Sequence, residues 1–249
     1  MSAPEAVGFA AWCFAVALAG GLVGLVLGNI RLPAVLLVAA SPASAGGANI
    51  AISGVAAATA SVGHIRAGRI NWRLFAWMAP PSVAGAFVGG YLAGAVPDEA
   101  VLLGIAVVLV YSGVDLLRRK PQPRTSDQAL DVRAAVLSGA AIGLLGGFVG
   151  LILGSLRMPA LLRLVGETPA RAVGTNLLVG VLVGIAGLLG HLPGAAPDLG
   201  IVLVGSAASI PGALLGARLT GRLSEDQLVK AIGVVLLVAG AAAAAQALA

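Results

Sequence analysis

Long, unbroken apolar runs are the feature that most constrains how this chain can fold, and residues 134–154 (AAVLSGAAIGLLGGFVGLILG) form one of them. The apolar core of a bilayer takes about 20 such residues per helix, so 249 residues leave room for several crossings. Only 10% of the residues are charged, against about 25% in soluble domains. Strands of a membrane barrel would be shorter and would alternate in polarity. The sequence therefore predicts an all-α integral membrane protein.

Few side chains are available for catalysis or metal binding. The chain has one cysteine, Cys13, and two histidines, His64 and His191, which cannot build a disulfide, a zinc site or a nucleophile–base cluster. We therefore expect no cofactor, no metal and no enzymatic activity. The net charge of +5 comes from residues that flank apolar runs without interleaved aromatics, so nucleic acid is not an expected partner.

An internal duplication divides the chain into two related halves. Residues 42–49 read PASAGGAN and residues 169–176 read PARAVGTN, with five of the eight positions identical at an offset of 127. Upstream, GLVLGNIRLPA at 24–34 matches GLILGSLRMPA at 150–160 at an offset of 126. Chance similarity of apolar helices does not copy Asn, Arg and Pro in order. The predicted units are a first transmembrane repeat over 1–117, a cytoplasmic basic linker over 118–133 and a second transmembrane repeat over 134–249.

Each half is expected to begin with a broken, re-entrant hairpin. A glycine-rich first segment (9–28 and 134–154) leads through an Arg-x-Pro stretch into a short apolar piece (33–40 and 159–165). Such a piece, about ten residues or roughly 15 Å long, is too short to span a bilayer. Three transmembrane helices should follow in each half, over 45–63, 74–96 and 100–117 and over 172–190, 199–219 and 228–247.

The basic loops predict how the two halves are oriented, because Lys and Arg are retained on the cytoplasmic side. If each first segment crossed the bilayer once, the halves would be parallel repeats, and Arg218, Arg222 and Lys230 would face outward. If it forms a hairpin that returns to its own side, the second half is inverted and all the basic loops face the cytoplasm. The second arrangement obeys the rule. We therefore expect inverted-topology repeats with both termini outside.

The two hairpin tips predict a binding site for a small anion near the bilayer midplane. Inverted repeats with broken helices are typical of secondary transporters. Proline suits the first turn of a short half-helix, whose N-terminus favours negative charge. An arginine at membrane depth is a functional candidate, although it can also snorkel to an interface. Its planar fork suits sulfite, sulfonate, sulfate or carboxylate oxygens. The predicted substrate-binding residues here are Gly28, Arg31, Pro33, Gly154, Arg157 and Pro159.

Other polar residues recur once per half. Asn49 and Asn176 open the next predicted span, where their amides could bind the anion, cap the helix or bond to another helix. Thr175 is a weaker candidate for substrate binding. His64 and His191 fall at span ends and could anchor at an interface or act as a proton-linked gate. Glycines at small-xxx-small spacing are expected to form packing faces, and they are Gly85, Gly89, Gly212 and Gly216.

The sequence offers no obvious residue for proton coupling, since no Asp or Glu lies well inside a predicted span. Asp115 comes nearest, and it lies three residues from Arg118, with which it is expected to pair. A negative interior favours anion exit by about 2.3 kcal/mol per charge per 100 mV. Membrane potential alone could therefore drive export.

The repeated motifs resemble those of the sulfite exporter TauE/SafE family of bacterial permeases. That family carries a G-xx-G-I-GGG-xxxx-P-x-L element followed by A-x-G-T-[SN] once per half, and the second half (GLILGSLRMPALLRLVGETPARAVGTNLLVG) matches it well from Gly154 through Asn176. A downstream G-S-xxxx-P-GA-xx-GA run at 205–217 also matches the family. The family's glycine triplet is reduced here to Gly28 and Gly154, and Ala48-Asn49 replaces the usual Thr-Ser. The resemblance implies a protein of the bacterial inner membrane that moves sulfite, organosulfonates or related sulfur oxyanions.

We therefore expect a secondary transporter for a small anion that binds between the repeats. An anion channel with the same site is an alternative, and a non-transporting assembly partner of another membrane complex is another. The expected partners are the substrate and the lipid bilayer, and a homo-oligomer is compatible with the sequence. The substrate, its direction and the coupling ion stay open at this point.

Overall fold

The computed structural model describes residues 1–92, 98–118, 131–149, 153–191 and 197–248 of the chain. In this part of the chain every regular element is a helix, so the prediction of an all-α protein is confirmed. The helices are α1 (Ala3–Val23), α2 (Gly28–Val38), α3 (Pro42–Arg66), α4 (Trp72–Tyr91), α5 (Asp98–Arg118), α6 (Val132–Val149), α7 (Gly154–Ala160), a π-helical segment (Leu161–Val165), α8 (Pro169–His191), α9 (Leu199–Thr220) and α10 (Glu225–Ala247).

Six of the described helices are long and apolar enough to cross a bilayer, namely α1, α3, α5, α8, α9 and α10. They include five of the six predicted spans. The sixth, 74–96, corresponds to α4, which contains Pro80 and Pro81 and is not among the six. The sixth candidate span is instead α1, whose 21 residues extend about 31 Å at 1.5 Å per residue.

The first break in the helices lies earlier than predicted. α1 ends at Gly24, whose φ of 74° is left-handed, and a Cβ built there would lie 2.5 Å from the Cα of Val173. Glycine is therefore required twice, for its conformation and for its close approach to α8. α2 then begins at Gly28 and α7 at Gly154. The prediction that Pro33 and Pro159 occupy the first turn of the short helices is wrong, because each is the sixth residue of its helix.

The asparagines also lie deeper in their helices than predicted. α3 begins at Pro42, where the Ser41 hydroxyl accepts from the backbone N–H of Ser44 over 3.2 Å. α8 begins at Pro169. Asn49 and Asn176 are thus the eighth residues of α3 and α8, so the prediction that they open these helices is wrong. Proline at the first position, which needs no N–H, defines both starts.

The predicted glycine packing faces are confirmed, and they join helices from different halves. α1 packs on α9, and their counterparts α6 and α4 pack on each other. A Cβ on Gly212 would lie 2.4 Å from the carbonyl oxygen of Phe14, and one on Gly85 would lie 2.3 Å from that of Ala140. One turn further on, Gly216 and Gly89 make the same approach, at 2.2 Å and 2.1 Å from the carbonyl oxygens of Leu18 and Leu144. Only glycine lets these backbones come so close.

The α3–α4 connection lies against the start of α8 and the end of α9. The backbone N–H of Asn71 donates to Oγ1 of Thr175 over 2.9 Å, and Nη1 of Arg69 donates to the carbonyl of Ala217 over 2.8 Å. A Cβ on Gly221, just past α9, would collide with the Arg69 guanidinium. The ends of α3 and α9 and the start of α8 therefore lie at one end of the bundle.

The end of α5 and the start of α6 lie at the same end. Arg163 of the π-helical segment pairs with Asp115 of α5 over 2.9 Å, and the pair of Asp115 with Arg118 stays a prediction. The backbone N–H of Asp131, just before α6, donates to the carbonyl of Val165 over 3.2 Å. The predicted linker 118–133 falls almost entirely outside the described residues, so the division into two repeats remains a prediction.

Candidate functional site

The two helix breaks adjoin in the buried interior of the bundle, at a junction here called the centre. Asn176 of α8 donates from Nδ2 to the carbonyls of Gly24 and Gly154, over 2.7 and 2.8 Å. These carbonyls belong to different halves, one at the end of α1 and one at the start of α7. A Cβ on Gly154 would also lie 3.3 Å from the backbone nitrogen of Val26. Carbonyls freed by broken helices need such partners at membrane depth.

Both predicted arginines point into this centre. Arg31 and Arg157 are each 1% exposed. Nη1 of Arg31 donates to Oγ of Ser53 over 3.0 Å, and Nη1 of Arg157 donates to Oδ1 of Asn176 over 3.2 Å. Nε of each has no hydrogen-bond partner among the described residues. The alternative that they snorkel to an interface does not fit side chains this deeply enclosed.

Neither guanidinium has a carboxylate within ion-pair distance in the described part of the chain. The ion pairs found there join Arg163 to Asp115 and Lys230 to Asp226. Moving an ion out of water costs several kcal/mol of solvation free energy, and only a partner charge and hydrogen bonds offset this cost. The centre thus holds two cations whose neighbours are neutral, a donor set that suits an anion.

The asparagines hold the broken helices through amide hydrogens, both of those of Asn176 and one of those of Asn49. Nδ2 of Asn49 donates to the carbonyl of Gly28 over 3.0 Å, and a Cβ on Gly28 would lie 3.2 Å from that same nitrogen. Asn176 uses its two N–H groups on Gly24 and Gly154. In this conformation both side chains position the breaks and, through Asn176, the guanidinium of Arg157.

Two small cavities accompany the arginines. The first, about 20 Å³, is lined by Gly28, Asn49 and Ser53, and it has room for about one water molecule. The second, about 10 Å³, is lined by Arg31 and Leu177 and shares Ser53 with the first. The centre is therefore closed around its cations, and an anion of several heavy atoms enters only if side chains or helices move.

Thr175 contributes to a separate polar cluster. Its Oγ1 accepts from the backbone of Asn71 and does not contact either guanidinium. Asn71 also donates to the carboxylate of Glu167, and the other oxygen of Glu167 accepts from the Thr168 backbone over 2.8 Å. Glu167 is only 4% exposed. This cluster fixes the α3–α4 connection to the start of α8.

Both histidines were predicted to act at span ends, and the structure describes the side chain of His64. His64 is completely buried, so anchoring at an interface is wrong for this residue: it lies against Gly21 of α1 and Gly174 of α8. Its Nε2 lies 3.1 Å from the carbonyl of Gly21, and Nδ1 has no described partner. The side chain of His191 lies outside the described part of the chain. A gating role stays a prediction for both.

Sequence reasoning missed Ser53 and Glu167. Ser53 follows Asn49 by four residues in α3, so the two share a helix face, and that spacing could have revealed it. Glu167 stands in a short connection between predicted segments, where an acid is normally solvated. Its burial depends on Asn71, a contact across 96 residues of sequence that no local pattern signals.

Six candidate spans, two adjoining helix breaks and a buried cationic centre define a multi-pass helical membrane protein built around a polar site. The family model for the sulfite exporter TauE/SafE matches residues 9–243, so the chain belongs to this family of membrane transporters. No solved structure matches the chain.

Named relatives agree with this assignment. The chain is similar to a probable membrane transporter protein of Xylella fastidiosa (strain Temecula1 / ATCC 700964), with 29% identity over 88% of this chain and 89% of the relative. It is similar to probable membrane transporter protein y4hK of Sinorhizobium fredii, with 27% identity over 95% and 97%. Probable membrane transporter protein YdhB of Bacillus subtilis is 24% identical over 71% and 74%.

Proposed function

We propose that this transporter moves a small anion, such as sulfite, an organosulfonate or a related sulfur oxyanion, and binds it between Arg31 and Arg157. The observation that carries this proposal is the pair of guanidinium groups, each 1% exposed and without a carboxylate partner among the described residues. A bound oxyanion would neutralise both charges and accept from each unpaired Nε.

The ends of the short helices support the same ligand. α2 and α7 begin at the junction, and the residues before them, Leu27 and Leu153, make no side-chain cap. The first N–H groups of a helix without a cap retain unmet donor capacity, and the helix dipole adds positive potential there. Two cations and two helix starts from different halves therefore converge on one place.

The closed cavities favour a carrier over an open channel. Space for about one water beside Asn49 and Ser53 is a constriction, not a pore. A carrier needs such a closed state between its two open ones, and alternating access is commonly a rocking of one repeat against the other. An open channel would need more space beside Asn49, Ser53 and Arg31 than these cavities provide.

Inverted repeats and a cytoplasmic basic end remain our proposal for the topology. Thr175, near the start of α8, bonds to Asn71, just past the end of α3, which is what antiparallel α3 and α8 require. Because these helices are counterparts in the duplication, antiparallel packing favours inversion. The connections bearing Arg69, Arg163 and Arg218 meet at one end, as the positive-inside rule expects for the cytoplasm. We place the chain in the bacterial inner membrane with both termini outside.

Membrane potential is proposed as the driving force for export. No described carboxylate touches either arginine, and a single negative charge leaving a negative interior gains about 2.3 kcal/mol per 100 mV. Flux of labelled sulfite from proteoliposomes should therefore rise when an interior-negative potential is imposed. Flux that does not respond to the potential would contradict this driving force.

Removing either guanidinium should abolish transport. Proteoliposomes with Arg31→Gln or Arg157→Gln are expected to lose at least about 100-fold of sulfite flux, since a buried charged contact contributes roughly 3 kcal/mol. Arg31→Lys and Arg157→Lys keep the charge and lose the planar fork, so their flux should be intermediate. Arg73→Gln, at an exposed position of α4, is the matched control and should transport normally. Wild-type flux in both glutamine variants would contradict the site.

A further inference from the structure

A large apolar groove lies between α5 of the first repeat and the first helices of the second repeat. Its volume is about 760 Å³, and its walls come from α5, α6, α7 and the π-helical segment. Along α5 it extends from Ala100 to Leu116, about 24 Å at 1.5 Å per residue. That length approaches the thickness of the hydrocarbon core. The groove is open on one side and wide enough to take an alkyl chain.

Ile105 links this groove to the small cavities near the anion site. Ile105 of α5 is 4% exposed, and it lines both the groove and the small cavity beside Asn49. That cavity in turn shares Ser53 with the cavity of Arg31. Groove, first cavity and second cavity therefore follow one another from the lipid-facing surface to a buried guanidinium, with Ile105 and Ser53 as the dividing walls.

We propose that the anion site opens sideways past Ile105, so that the chain accepts amphiphilic anions whose alkyl tail lies in the groove while the head group reaches Arg31. This inference rests on the proposed function, because it requires the anion site. The groove supplies apolar walls and the centre supplies cations, a polarity that matches an alkanesulfonate from head to tail. An isoleucine can change rotamer more cheaply than helices can separate.

The test is competition between labelled sulfite and alkanesulfonates of increasing tail length in proteoliposomes. From methanesulfonate to octanesulfonate, the concentration for half-inhibition in the wild type should fall by up to about fourfold per methylene. Partition of the tail into the bilayer alone gives a similar trend, so variants of the groove are needed. Gly104→Leu is the first, since Gly104 lines the groove and a Cβ there meets nothing within 4 Å.

Filling the groove should affect only tailed anions. Gly104→Leu is expected to weaken octanesulfonate by at least about tenfold and methanesulfonate by less than about twofold, because Gly104 lines the groove and neither of the two small cavities. Ser138→Trp, which fills the groove from α6, should act in the same way and is independent of α5. Val107→Trp is the matched control, because Val107 is 69% exposed on α5 and does not line the groove.

The outcomes separate this inference from the proposed function. Retained sulfite flux in each variant shows that it is folded. A tail-length dependence that is the same in the wild type, Gly104→Leu and Ser138→Trp would overturn the groove, because the tail would then be partitioning into lipid, while the anion site would stand. Absence of any sulfite or sulfonate flux in the wild type would overturn both.

Discussion

The outer faces of the two repeats differ although their cores match. In the first repeat, polar contacts join α1 to α2 and α2 to α10 of the second repeat: Nε1 of Trp12 donates to the carbonyl of Ile30 over 3.3 Å, and Nδ2 of Asn29 donates to the carbonyl of Ala239 over 3.0 Å. In the second repeat, the counterpart of Trp12 is Ser138, whose hydroxyl bonds to its own helix at Ala134. The groove opens at that place.

The difference indicates which of the duplicated contacts serve a function that both repeats share. Both repeats keep the arginine, the asparagine and the close glycine approaches, because the centre needs two breaks held in place. The lipid-facing contacts have diverged. One short helix, α2, is fastened to α10, whereas α7 ends after seven residues in a π-helical segment and borders an open groove. The second repeat is therefore the better candidate for the part that moves.

Substitutions at the close glycine contacts that both repeats share should cause the largest loss of unfolding free energy. Valine in place of Gly212 or Gly85 would put a Cβ 2.4 or 2.3 Å from a backbone oxygen, and the backbone must then shift. Both variants should lose about 3 kcal/mol or more of unfolding free energy, measured by denaturant unfolding in detergent. Gly54→Val, where a Cβ meets nothing within 4 Å, is the control and should change little. A large loss at Gly212 with none at Gly85 would break the equivalence of the two interfaces.

Replacing the two asparagines should lower the unfolding free energy by different amounts. Asn176 satisfies carbonyls from both halves and Arg157, whereas Asn49 satisfies Gly28 alone. Asn176→Ala should therefore cost about 2 kcal/mol or more, because it leaves several buried groups unpaired, and Asn49→Ala about 1 kcal/mol. Unfolding of the two purified variants under identical conditions measures both losses. Equal losses would mean that the described contacts do not carry this difference.

Much of this architecture was predictable from sequence because it depends on short stretches of the chain. Apolar length defines most of the spans, and the repeat identifies Arg31 and Arg157 as a pair. The position of the helix break was not predictable in the same way. Proline was interpreted as a helix start, but the break depends on Gly24 against Val173, a contact between different halves. The burial of His64 and Glu167 likewise follows from tertiary packing, so their local sequence suggested a more exposed setting.

The hydrogen bond that holds α2 to α10 should make the smallest difference to the unfolding free energy. It is also the most direct test of the difference between α2 and α7. Pro33 has no N–H to donate to the carbonyl of Asn29, four residues earlier, and Nε2 of Gln246 donates to that carbonyl instead, over 2.6 Å. Gln246→Leu should therefore lower the unfolding free energy by about 1 kcal/mol, within the range of hydrogen bonds in membranes. Pro33→Ala would restore an N–H at the position that the helix needs.

Restoring this N–H should rescue the loss. In a double-mutant cycle, Gln246→Leu should cost about 1 kcal/mol with Pro33 present and close to nothing in the Pro33→Ala background. The cycle is measured by denaturant unfolding of the wild type, both single variants and the double variant. Additive losses would show that Gln246 stabilises α10 by itself. A coupled loss would mean that the first repeat compensates for its proline through a partner in α10, which keeps α2 fastened where α7 borders a groove.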